Sequence, residues 1–122
     1  RWLESATDCV FYGLILHARD AEVADWLGAA AKEQLDFLEP FHARMLRVLG
    51  RRCRPGISPR QFGGVLRSVV AGLALDARVP GSPTKDRVTV AEADPELAGE
   101  WFLATLAIEA LVMGLTEPLP PE

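Results

Sequence analysis

The thiol and imidazole side chains of this chain number four: Cys9, Cys53, His17 and His42. Cys9 lies in an apolar run and Cys53 in the basic stretch Arg51-Arg52-Cys53-Arg54, with no CxxC and no Cys/His spacing, so neither a structural disulfide nor a zinc site is expected. His17 stands at a predicted helix end beside Arg19, where capping or solvent exposure is the ordinary role. His42, two residues past Pro40, is better placed to touch a ligand, although a satisfied, semi-buried histidine is the commoner outcome. No Ser/His/Asp or Cys/His arrangement has local support. No glycine-rich loop follows a strand, and no pair of Glu-x-x-His sequences offers a di-iron site. The pattern predicts no catalysis, no metal and no cofactor.

The remaining residues point to binding. Cys9, Tyr12, Leu16, Trp26, Phe37, Leu38, Phe41 and His42 fall on the first two predicted helices and, with Trp101, would suit a mostly apolar pocket with few polar anchors. Each of these taken alone is ordinarily packing, since apolar side chains at helical spacing usually fill a core. Only the set suggests a ligand site.

These side chains need elements to hold them. At 122 residues and 49% hydrophobic, the chain fits one domain that needs no staple. Alanine and leucine dominate over strand-favouring residues, so the expected class is all-α: an antiparallel bundle of about four to five helices. A first helix over residues 2–18 is apolar around most of its circumference. Asp20 then caps a long second helix carrying Val23, Leu27, Leu38, Phe41, Met45 and Leu49, with a kink expected at Pro40 and an end at Gly50. Residues 51–57 read as a loop. Ser58-Pro59-Arg60-Gln61 is a capping box that opens a third helix, with Phe62, Leu66, Val69 and Leu73 on one face and mostly small residues on the other. Residues 79–94, rich in proline, glycine and charge, read as an exposed connection around a short Val88-Thr89-Val90 run. Asp94-Pro95-Glu96 repeats the cap-then-proline signal for a last helix reaching Leu115, followed by a proline-rich tail.

That last helix is striped twice, with Trp101, Ile108 and Leu111 on one side and Phe102, Leu106 and Met113 on another. Two stripes imply two covering surfaces, and a two-fold partner supplies the second most simply. The expected seam comprises Gly64, Ala71, Leu75, Phe102, Leu106, Glu109 and Met113, with Arg67 and Glu109 as candidates for a rim ion pair. Charge is unevenly placed. Residues 40–75 hold seven arginines and no acid, within a chain of net charge -4. The arginine stretch lacks the interleaved aromatics and recognition helix of a nucleic-acid reader, so a solvated face or contact with acidic segments is the favoured reading. No apolar run reaches the roughly 20 residues of a bilayer span, and a cytoplasmic protein is expected.

Leu66-Arg67-Ser68-Val69-Val70-Ala71-Gly72-Leu73-Ala74-Leu75, then a proline- and charge-bearing gap, then Trp101-Phe102-Leu103-Ala104 through Glu109-Ala110-Leu111-Val112-Met113-Gly114-Leu115, resembles the two closing helices of TetR-type transcriptional regulators. Residues 19–27 resemble the start of a long helix in that family. The resemblance implies an effector-binding and homodimerising C-terminal domain, with a four-helix seam built from the closing helices of two subunits. It also implies an N-terminal helix-turn-helix that this chain does not supply, so DNA would be bound only through that absent domain. The start at Arg1, with helical patterning already under way, fits a piece of a longer protein. The competing expectations are a stand-alone helical module that docks another protein and a small helical carrier of lipid or ligand. The seam reading predicts that Phe102→Glu or Leu106→Glu gives monomer or aggregate by burying an unpaired charge, while a similar change at Arg87 is silent, as read by analytical ultracentrifugation.

Overall fold

The computed structural model describes residues 19–122. The expected first helix, with Cys9, Tyr12, Leu16 and His17, lies outside the described residues. The chain is mixed α/β rather than an all-α bundle of four to five helices: the described residues form three α-helices and two small antiparallel sheets of two strands each.

Helix α1 spans Ala21–Val48, and Asp20 caps it by accepting from the backbone N–H groups of Glu22 at 3.0 Å and Val23 at 3.2 Å. Pro40 sits inside the helix, which continues for two more turns. The chain leaves α1 at Gly50, whose φ of 69° lies in the left-handed region that a side chain disfavours. Instead of a loop, the next residues form strand β1 (Arg51–Cys53). Helix α2 (Pro59–Asp76) opens on the expected capping box: Ser58 accepts from the Gln61 N–H at 3.0 Å and Gln61 accepts from the Ser58 N–H at 2.9 Å. A single 3-10 turn (Pro83–Lys85) leads into strand β2 (Arg87–Val90), so the connection after α2 carries structure of its own.

The last helix begins later than its cap-then-proline signal suggests. Asp94-Pro95-Glu96 forms turns. Gly99, at φ 125°, starts strand β3 (Gly99–Phe102), which pairs with β2 in the register Arg87 to Phe102 and Val88 to Trp101. The β-branched run Val88-Thr89-Val90 therefore recruits Trp101 and Phe102 as strand partners, and a glycine in that backbone region cannot lie within an α-helix. Helix α3 (Leu103–Leu115) follows β3 directly and runs without a break into strand β4 (Thr116–Pro118), which pairs with β1.

Two contacts hold this arrangement. The first is the packing of α1 on α2, where Leu27, Leu46, Phe62 and Ala71 are buried. Gly63 brings the helices close: a Cβ there would fall within 2.8 Å of His42 Cε1 and nearer still to Nδ1. The second is the β1–β4 clasp, centred on Thr116, which is fully buried. Its hydroxyl donates to the Val112 carbonyl at 2.5 Å and accepts from Arg51 Nε at 2.7 Å, while Arg51 Nη2 donates to the Thr116 carbonyl at 3.1 Å. A buried hydroxyl bonded on both sides is stable only while both partners remain. Thr116→Val keeps the volume but strands the Arg51 donor. It is expected to lower stability by about 1–3 kcal/mol in urea denaturation, with Thr116→Ser losing less.

Candidate functional site

The residues expected to line a pocket are spread over the described surface. Trp26, Phe37 and Phe41 lie along α1 at 54%, 81% and 60% exposure, while Leu38 is half-buried. Phe41 borders a shallow, open cavity of about 290 Å³ with Arg44, Met45, Val48 and Leu49. Trp101 belongs to the β2–β3 sheet, with its Nε1 donating to the Leu97 carbonyl at 2.8 Å. Cys53 lies half-buried in β1, and burial pushes its thiol up from the usual 9.0, which makes it a poor nucleophile at neutral pH.

His42 is the buried imidazole among the described residues. Its ring stands edge-on to Phe41, with centroids 5.7 Å apart, and to Phe62, at 6.2 Å, against the bare backbone of Gly63. One Glu-x-x-His spacing does occur, from Glu39 to His42. It builds no ligand set, because Glu39 is drawn to Arg60 at 3.9 Å while His42 turns toward α2. No cluster of three or more His, Cys, Asp or Glu side chains able to hold a metal ion occurs among the described residues. Desolvation pushes the His42 pKa down from 6.5, so the folded protein holds it neutral.

Of the expected seam residues, Phe102 is half-exposed, and Leu75, Leu106, Glu109 and Met113 are half-buried. Ala71, 3% exposed, already belongs to the monomer's own core, and Gly64 faces Leu35 of α1, 3.6 Å from where a Cβ would stand. An open groove of about 460 Å³ lies between α2 and α3. Val70, Leu73, Ala74 and Ala77 line one wall and Ala104, Thr105 and Ile108 the other, with Phe102 at one end. The sequence pattern sets Leu73 on one face with Phe62, Leu66 and Val69, and the expected seam did not include Val70, Ala74 or Ala77. The signal was there, because 70, 73, 74 and 77 follow the i, i+3, i+4, i+7 spacing of a helical stripe. Arg87 is not a neutral position either: its guanidinium stacks over the Phe102 ring at 4.9 Å, so the expectation of a silent change there is withdrawn.

Most of the arginine stretch has structural partners. Arg52 pairs with Glu117 at 2.8 Å, and Arg60 pairs with Asp36. Arg67 donates to Gln34 rather than to Glu109. Arg54 donates to the carbonyls of Gly114 at 2.8 Å and Met113 at 3.2 Å, at the end of α3 where a helix favours cations. Hydrogen bonds from Lys32 and Arg60 hold the Asp36 carboxyl below its usual 3.8. No described helix is long and apolar enough to cross a membrane.

Comparison with protein-family models, with characterised proteins and with solved structures finds no match.

The His42 environment fixes a pH dependence. Its folded pKa lies below its unfolded value, so the unfolded chain binds the extra proton; stability is complete above about pH 6.5 and declines as the pH falls through that value toward the folded pKa. Melting temperature is therefore expected to drop between pH 7.5 and 5.5, and His42→Gln should flatten that decline. An unaltered slope in the variant would assign the acid sensitivity elsewhere.

Proposed function

We propose that this chain is the effector-binding and homodimerising part of a TetR-type transcriptional regulator, with the α2–α3 groove as its dimer seam. The observation that carries the reading is α3 itself. Twelve of its thirteen residues are uncharged, and eleven of those are apolar or glycine, yet none is fully buried within one copy. A helix of that composition is stable in water when something else covers it.

A second copy fits the groove's own shape. The walls offer the small side chains of Ala74, Ala77 and Ala104, while Phe102, which lines the same groove, is large and half-exposed. Knobs and holes on one patch are what an isologous two-fold contact requires. The mixed α/β fold changes how the proposed seam is mounted, because the small sheets fix both ends of α3 where the family resemblance implied helices alone, and Val70, Ala74 and Ala77 take the place of Gly64 and Ala71 in it. The effector half of the reading draws on that resemblance, supported locally by one neutral imidazole set between Phe41 and Phe62.

Sedimentation velocity at ~10 µM is expected to show a dimer, and Ala74→Glu or Ile108→Glu, each placing a charge in the groove, should weaken association at least tenfold. A monomer at that concentration for the unaltered chain would sink the reading. A thermal-shift screen with aromatic small molecules addresses the effector half and should return compounds that raise the melting temperature by several degrees.

A further inference from the structure

We propose that the cleft between the C-terminal end of α1 and β1 binds a small organic anion, a phosphate or carboxylate carried on a short apolar stem. The site is separate from the α2–α3 groove and stands or falls without the regulator reading. Arg47, Arg51 and Arg52 line it, together with the apolar side chains of Leu46, Pro59 and Leu119, around a volume of about 190 Å³.

Charge and shape together select this ligand. Arg52 is neutralised by Glu117. Arg51 directs its Nε and Nη2 donors to the uncharged oxygens of Thr116, so its positive charge keeps no carboxylate. Arg47 makes no ion pair with any described residue. Two guanidiniums without a carboxylate partner among the described residues thus border one concave site, and each has donors left over in the planar fork that matches phosphate and carboxylate oxygens. The clasp with Thr116 holds Arg51 in place, so one donor group is ordered before a ligand arrives, which reduces the entropy lost on binding. The apolar wall, in which Leu119 is 40% exposed, rewards a hydrocarbon stem over a bare ion. The volume lies below the roughly 300 Å³ at which drug-sized pockets begin, which limits the stem to a few carbons. A nucleic-acid backbone would gain from the charge but has no stem to place against Leu46 and Leu119.

Isothermal titration of the 122-residue chain with butyl phosphate, hexanoate and inorganic phosphate tests the assignment. Butyl phosphate or hexanoate is expected to saturate one site, with a Kd on the order of 0.1–1 mM and at least tenfold tighter than inorganic phosphate. Arg47→Ala should weaken it tenfold or more with a nearly unchanged melting temperature, because the exposed Arg47 side chain makes no hydrogen bond or ion pair with a described residue. Leu119→Ser should erase the advantage of the stem while leaving inorganic phosphate unaffected. Lys85→Ala, on the other groove, should change nothing. Absence of saturable binding by all three probes, binding indifferent to Arg47→Ala, or displacement of butyl phosphate by a DNA duplex at micromolar concentration would each overturn the proposal.

Discussion

The fold hangs on one fully buried hydroxyl. Thr116 is where the last helix ends, where β4 begins and where Arg51 reaches across from the opposite strand. Through it the exit of α1, the clasp and the end of α3 become one cooperative unit. An arginine in such a position has two tasks. Its donors satisfy oxygens that would otherwise be buried unpaired, and its charge sits at the carbonyl end of a helix, where the peptide dipoles favour a cation. Arg54, bonded to the carbonyls of Gly114 and Met113, repeats the arrangement one turn back along α3.

What could be read from the residues was the local chemistry of helix ends. The Asp20 cap, the Ser58–Gln61 box, the helix running through Pro40 and the turn at Gly50 each depend on a few neighbouring side chains, so their sequences carry enough information to place them. The strands escaped because their causes lie far away in sequence. Nothing near residue 51 shows that residues 116–118 will come alongside, since that pairing is decided by where α2 and α3 deliver the chain. The Asp94-Pro95 signal failed for a related reason: a local preference for starting a helix lost to pairing between Val88 and Trp101, with Gly99 supplying the backbone conformation. For the candidate site, the existence of α2 and of a last helix was legible, but the orientation of α2 was not. Ala71 turned inward, and Val70, Ala74 and Ala77 turned toward the groove.

The small core and the open groove are two sides of one fact. Leu27, Leu46, Phe62 and Ala71 are the buried apolar core residues among those described, while Trp26, Phe37, Phe41, Val48 and Phe102 stay largely exposed. His42 belongs to the same balance, because the close approach at Gly63 lets an imidazole serve as packing material, and the desolvation that keeps it neutral follows from the tightness of that contact.

Helix α3 has no slack at either end. Phe102 closes β3 and Leu103 begins the helix; Leu115 ends it and Thr116 begins β4. The Leu103 amide is bonded to the Asp86 carbonyl at 2.8 Å, so even the first turn is fastened to the approach to β2. A bar welded to a bracket at each end can neither rotate nor slide without bending one of the brackets. The helix therefore joins the β2–β3 ribbon to the β1–β4 clasp, and so to Arg51 and the exit of α1, with no loop between them.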